Sequence, residues 1–399
     1  MTFTATICPH ISDIPRDDWE CCLAGEAEGY DYYTACEKLS HAAYQLSAVK
    51  VEYDTKIVAV APLFTLNYRL DTPLQGKTRK ISDVVFKYAP RILSLKVIGI
   101  GSPLAERCHI GFAPELDGLQ QINATTAMLE TIEKHAKKSG IGLLAVKDLN
   151  SKDQLATDPS LQKAGYTITN SLPIAVLDLP PTETEYFAKL SANNRSSFKR
   201  KIRAAQNLAF EYRTSIQGIE AEIDALYEQT RDQSGYDYGD LETLPKGYFG
   251  AIMNALNGKA LMMLYWLKNL ENPDEKGALI GFNLLLLNEG KSPDQRKVID
   301  KFIGRKHPEA RDNNLYFVGW MDNVRYAQKH GYKMLQSGQT AYGEKLRLGS
   351  RLEPSYIYFR HRNPMLNAIL RFVSRFIAFD KMDKDLQNYS IASSKQNSS

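Results

Sequence analysis

The chain has 399 residues, 43% hydrophobic and 24% charged, too many for one ordinary core and suited to two domains of a soluble globular class. Its net charge of +4 names no partner, so any anion-binding role must come from local clustering. Five cysteines (Cys8, Cys21, Cys22, Cys36, Cys108) without zinc-site spacing, and seven scattered histidines, read as a reduced, metal-free protein.

The opening "MTFTATICPH" lacks the basic start and apolar core of a secretion signal. No apolar run approaches the ~20 residues that a membrane span requires, so a cytoplasmic location is expected. Residues 12–29 predict a helix, with Pro15 in its first turn and Trp19 and Leu23 four apart on one face. Residues 48–66 read as two strands joined at Asp54-Thr55, and 78–93 fits no single element. A strand running into a loop follows over 96–112, then an amphipathic helix over 121–140 that ends in glycine. "IGLLAVKDL" (141–149) is a strand. A helix opened by Asp158-Pro159 and stopped at Gly165-Tyr166 comes next. Residues 171–187 give a strand and then the Pro180-Pro181 break, the expected domain boundary.

Beyond it, 182–206 and 216–233 are helical, 234–245 is a polar, aromatic loop, and a short helix lies near 246–257. Residues 259–290 form a second two-strand unit. "NNLYFVGWM" (313–321) reads as a strand, and Asp322 as the cap of a helix ending at Gly331-Tyr332. Each half therefore runs strand pair, helix, strand, helix, Gly-aromatic, strand. The expected class is α/β (α+β mixed): two tandem domains over 1–180 and 181–362, each a mixed sheet flanked by helices, with an amphipathic helix and disordered tail over 363–399.

Three stretches carry a resemblance: "LSANNRSSFKRKIRAAQN" (190–207), "ALIGFNLLLL" (278–287) and "YFVGWMDNVRYAQKHGYKMLQSGQTAYGEKLRLG" (316–349). The pattern resembles the GNAT (Gcn5-related) N-acyltransferase fold in tandem, as in the FemAB-like and BioF2-like branches. The resemblance implies an acyl-CoA co-substrate, an amine acceptor and no prosthetic group. Acetyl-CoA-binding members carry an Arg/Gln-x-x-Gly-x-Gly/Ala loop for the pyrophosphate. "NEGKSPDQRKVIDKFIG" follows 278–287 here instead, which leaves room for a larger acyl donor or an aminoacyl-tRNA. The branch further implies three candidate activities. One is ceramide synthase-like N-acylation of a sphingoid-type base at the membrane surface. Another is Fem-type aminoacyl transfer to a peptidoglycan precursor. The third is ligand binding by a degenerate fold.

Acyl transfer to an amine needs a base, donors for the oxyanion and, for a thioester, an acid. Glu106 and His109, three apart in the Gly/Pro-punctuated loop 101–112, are candidate bases; a surface carboxylate and a locally satisfied histidine are the plainer alternative. "NNRSSFKRKIR" (193–203) has five cations and no acid. On a helix Arg195, Lys199 and Arg203 share a flank able to bind the phosphates of CoA, a lipid headgroup or tRNA, or simply face water. Tyr342 is a candidate acid and Lys345 an anion contact. Asn283, on an apolar strand, needs a partner, with substrate contact as the alternative. From Pro364 onward, Asn367, Arg371, Ser374 and Arg375 form a narrow polar arc. Met365, Leu366, Ile369, Leu370, Phe372, Val373, Phe376 and Phe379 cover the rest. That pattern suits either an interfacial membrane helix over 364–379 or a terminal helix docked on its own domain.

Overall fold

The computed structural model describes residues 2–39, 41–69, 94–233, 244–269, 271–272, 275–375 and 385–387. The readings of 78–93, most of 234–245, Phe376, Phe379 and the polar tail lie outside them. The first half contains β1 (Thr4–Cys8), α1 (Arg16–Cys22), α2 (Tyr30–Lys38), β2 (Tyr44–Tyr53), β3 (Lys56–Arg69), β4 (Ser94–Ile100), β5 (Gly111–Phe112), α3 (Gly118–Lys138), β6 (Leu143–Asn150), α4 (Ser151–Lys163), β7 (Thr167–Asn170) and β8 (Ile174–Asp178). The second contains α5 (Glu183–Lys189), α6 (Ala192–Ala204), β9 (Leu208–Arg213), α7 (Glu220–Asp232), α8 (Tyr248–Ala255), β10 (Ala260–Lys268), β11 (Lys276–Asn288), β12 (Lys297–Arg305), α9 (Glu309–Asp312), α10 (Leu315–Lys329), β13 (Met334–Gln336), α11 (Tyr342–Arg347), β14 (Arg351–Glu353), β15 (Ser355–His361) and α12 (Pro364–Val373).

The strands form two sheets with the same layout. One runs β1-β2-β3-β4-β6-β15-β7, with β5 on the side of β3; the other, read in the matching direction, runs β9-β10-β11-β12-β13-β8-β14. Each holds a single parallel pair near its centre, β4 with β6 and β12 with β13. The crossovers are α3 and α10, as parallel neighbours require. The β2–β3 hairpin turns on Asp54 and Thr55, whose φ values of 50° and 69° match a tight two-residue turn.

The halves exchange a strand. β8, which precedes Pro180-Pro181, pairs with β13 and β14 in the second sheet, and β15 pairs with β6 and β7 in the first. The Pro-Pro break therefore does not separate the sheets: residues 174–178 belong structurally with the second half and 355–361 with the first.

Several local readings change. "NNLYFVGWM" is not a strand but the start of α10, where Leu315, Val318, Met321, Val324 and Ala327 are buried at helical spacing. A short apolar run does not by itself separate buried strand from buried helix. Asp322 is not a cap; it lies inside α10, buried, and accepts a hydrogen bond from the Tyr212 hydroxyl at 2.5 Å. α4 starts at Ser151 rather than at Asp158-Pro159. Asn150 Oδ1 accepts from the Asp153 N–H at 2.8 Å as its cap, and Pro159 sits inside the helix on an exposed position. The two Gly-Tyr stops are thus not equivalent: Gly331 closes α10, the counterpart of α3, whereas Gly165 closes α4. β9, β12 and α2 were not foreseen as elements.

Candidate active site

β12 and β13 pair only through Lys297–Ile299 against Met334–Gln336. Beyond that they part. β12 runs on to Arg305, while the chain leaving β13 turns at Gly338, whose φ is 72°. Against β11, the register steps from Leu284↔Phe302 to Leu285↔Asp300. Lys301 is therefore the extra residue of a bulge, a device that re-aims neighbouring side chains.

Three elements bring ionisable groups to this opening: Asp300 on β12, Lys345 on α11, and Glu106 from loop 101–110 of the first half. Gln336 at the end of β13 donates to Glu106 Oε2 at 2.7 Å and accepts from Lys297 Nζ at 3.0 Å. Lys345 Nζ donates to the Ser337 carbonyl. A Cβ at Gly338 would lie 3.0 Å from Glu106 Oε1 and 3.8 Å from Lys345 Nζ, so glycine there lets the carboxylate approach. Loop 101–110 is held from beneath by Lys301, which donates to the Leu104 carbonyl at 2.7 Å and to Glu28 Oε1 at 2.6 Å.

Burial sets the protonation states. The Asp300 carboxyl is pushed up to about 7 by burial, with the Lys345 charge pulling the other way. Burial pulls Lys345 down to about 8 against the attraction of Glu106 and Asp300. Glu106 is raised by burial, offset by Lys301, with Glu28 adding like-charge repulsion. Asp300 Oδ1 has no hydrogen-bond partner. Behind it, Asn283 Nδ2 donates to Asn323 Oδ1 at 3.2 Å, which gives Asn283 the partner expected of a buried amide. Among the described residues Asn283 Oδ1 has no hydrogen-bond partner, whereas the Asn323 amide interacts with the Asp300 carboxyl and helps to lower its pKa. A buried carboxyl near neutrality with an amide beside it can take a proton from one group while the amide stabilises negative charge on another.

Glu106 and His109 do not form a pair. His109 faces the other side of its loop, where Nδ1 meets the Tyr33 hydroxyl at 2.7 Å and Nε2 accepts from Arg107 Nε at 3.4 Å. Burial and then the Arg107 charge pull its pKa down to about 4, so it is neutral across the physiological range. Arg107 is paired with Glu26, whose second oxygen accepts from Asn288 Nδ2 at 2.6 Å. These groups line a separate cavity of about 360 Å³ that also meets Asp153 and Gln121. Tyr342 is buried and donates to the Pro173 carbonyl at 2.7 Å, tying α11 to the chain entering β8.

The cations of α6 make other contacts. Phe198 packs among Phe187, Tyr186 and Phe317. Arg195 donates to the Phe187 carbonyl at 3.4 Å, and Lys199 Nζ lies 4.8 Å from the Phe187 ring centroid. Among the described residues, no hydrogen bond or ion pair joins Arg195, Lys199 or Arg203 to Asp300, Lys345 or Glu106.

Asp300, Lys301, Glu28, Gln336 and Asn323 were missed. The signal for two of them stood in "KVIDKFIG" (297–304), where an acid and a base interrupt an apolar run. The strand-to-helix connection in the second half is 306–314, not the segment directly after 278–287, and it contains no glycine.

No family model matches the sequence, and no curated protein matches it. Among solved structures, the chain is similar to FemX at 14% identity, over 82% of this chain and 91% of that one, with a TM-score of 0.54. It is similar to the C-terminal DUF2156 domain of a putative lysylphosphatidylglycerol synthetase from Agrobacterium fabrum at 11% identity, over 90% and 96% of the two chains, with a TM-score of 0.50. A tandem GNAT protein from the clavulanic acid biosynthesis pathway is also similar, at 12% identity over 84% and 88%, with a TM-score of 0.44. The chain is thus a two-sheet α/β protein with helices on both sheets. Its fold is like that of FemX and of the DUF2156 domain.

Proposed function

We propose that the protein is an N-acyltransferase that moves an acyl group from an acyl-CoA thioester to a primary amine at the opening between β12 and β13. The observation that carries this reading is the Asp300 carboxyl, raised toward neutrality and left with a free oxygen beside Lys345. Asp300 takes a proton from the acceptor ammonium, and the freed lone pair attacks the thioester carbonyl. The Asn323 amide, oriented by Asn283, donates to the oxyanion. As the C–S bond breaks, the Lys345 ammonium protonates the thiolate, and the second proton of the attacking nitrogen passes to Lys345, restoring its ammonium and leaving the neutral amide. Glu106 holds the charge balance that keeps Lys345 protonated. Binding of the donor phosphates is assigned to the α6 cations.

The acceptor we favour is the amine of a sphingoid-type long-chain base. The support is indirect: the glycine-free connection 306–314 does not suit a tight pyrophosphate cradle, and α12 leaves apolar side chains in solvent. Aminoacyl transfer from tRNA is the second reading, favoured by the likeness in fold to FemX and by the run of cations on α6.

The test is release of free CoA thiol from long-chain acyl-CoA with long-chain amines offered as acceptors. Asp300→Asn should lower kcat about 10²- to 10⁴-fold, the usual contribution of a positioned base, with the acceptor KM little changed. Wild-type kcat should rise with pH through about 7 as Asp300 loses its proton. Turnover retained in Asp300→Asn, with the same pH profile, would remove Asp300 from this role.

A further inference from the structure

α12 is mounted inside out. Its polar side chains Asn367 and Ser374, together with Leu370, form the face turned toward the domain. Asn367 Oδ1 accepts from the His361 N–H at 2.8 Å, and the Asn363 side chain caps the helix start. The opposite face is apolar and in solvent: Met365 is 70% exposed, Ile369 51% and Phe372 60%, with Leu366 and Val373 beside them. A terminal helix docked for stability buries that stripe instead. Here five large apolar side chains stay wet on one helix, the kind of contiguous patch that marks an interaction surface.

The surroundings of the patch are cationic. Arg362 donates to the Ile141 carbonyl at 3.1 Å, which seats the start of α12 against the end of α3. There Lys134, Lys137 and Lys138 are exposed. Arg371 on α12 and Arg375 just past its end are exposed. Two copies meeting through this face about a two-fold axis would bring like charges together, whereas an anionic lipid surface attracts every one of them.

We infer that α12 and the end of α3 form a docking surface for an anionic phospholipid bilayer, with the apolar face of α12 lying in the headgroup region and the lysines over it. This concerns where the protein sits and stands whether or not the acyl-transfer reading holds.

Co-sedimentation of the full chain with vesicles of phosphatidylcholine, with and without one-quarter phosphatidylglycerol, tests it. Binding is expected only with the anionic lipid. Met365→Ser with Ile369→Ser should weaken partitioning by more than about tenfold, and Lys137→Gln with Lys138→Gln by about fivefold for each charge. The replaced side chains are exposed, so unfolding midpoints should not move. Absence of binding to anionic vesicles, or binding equal in all variants, overturns the inference. So does a wild-type dimer that the serine substitutions convert to monomer without affecting lipid binding, since a second copy would then cover the face.

Discussion

Lys301→Met gives the sharpest test of how the two halves are joined. Lys301 and Glu28 face each other at 2.6 Å with side chains only 2% and 1% exposed. At an effective dielectric constant of about 20, unit charges at that separation attract by roughly 6 kcal/mol, much of it offset by the cost of removing both from water. Removing the cation alone leaves a buried carboxylate unpaired, and the expected loss is about 3–5 kcal/mol. The loss must depend on pH with a definite sign. In the wild type, Lys301 holds Glu28 below the ordinary carboxylate range despite burial. That contribution is present above about pH 4.3 and fades as pH falls through the depressed value. In Lys301→Met burial, the largest influence on Glu28, is opposed only by the weaker attractions of His109 and Lys297 and raises its pKa, so its contribution is present at low pH and lost as pH rises. The gap between the two proteins should therefore be widest near pH 7–8 and narrow toward pH 5. Urea unfolding followed by tryptophan fluorescence at several pH values measures it. Glu28→Gln with Lys301→Met should recover much of the loss, because the unpaired charge is gone. A loss under about 1 kcal/mol, typical of exposed pairs, with no pH dependence, would refute the argument.

If α6 binds the donor phosphates, Lys199→Ala or Arg203→Ala should raise the acyl-donor KM by about 10- to 150-fold, from ~1.5–3 kcal/mol per charge-assisted contact. The acceptor KM should hardly change. Arg200 is the control, because Lys201 Nζ lies 3.3 Å from the Phe317 ring centroid and is not inert; an equal effect at Arg200 would make the run a solvated face. A thiol reagent should modify Cys21 quickly in the native protein. Cys8, Cys22, Cys36 and Cys108 should react only after unfolding, since all four are buried and the Cys22 thiol is pushed up to about 12 by burial; rapid reaction of a second thiol would contradict the packing around α1 and α2.

Hairpins, amphipathic helices and glycine stops were legible because each is written in neighbouring residues: Asp54-Thr55 for the β2–β3 turn, the apolar stripe of 121–140 for α3. What sequence reading could not supply is pairing across the chain. The exchange of β8 and β15 leaves no local mark, since a strand looks alike whichever sheet it joins. β12 was passed over because Asp300 and Lys301 interrupt its apolar pattern, and that interruption is where the proposed site lies. Glu106 was singled out from its loop, but its partners Gln336 and Lys345 lie more than 200 positions away. His109 looked equivalent to Glu106 by spacing; the chain turns its ring toward Tyr33 and Arg107 instead.

The exchange of strands bears directly on the site. β8 lies beside β13, the strand whose parting from β12 opens the site, and the Ala175 N–H donates to the Gly338 carbonyl at 3.3 Å at the edge of that opening. Tyr342 anchors α11, and with it Lys345, to the Pro173 carbonyl just before β8. Glu106 arrives from the first half on a loop fixed to β12 by Lys301. Three supports of one polar cluster therefore come from residues before Pro180, although β8 itself is a strand of the sheet that holds Asp300. A hinge opening between the two sheets would pull Glu106 away from Asp300 and Lys345, and β8 and β15, each sewn into the opposite sheet, resist such a motion. Access for substrates must then come from movement of loops at the β12–β13 opening rather than from separation of the two sheets. A disulfide linking the sheets away from that opening should leave turnover intact, whereas one fixing loop 101–110 to the Gly338 turn should abolish it until reduced. Loss of turnover with the first disulfide would show that the sheets do separate.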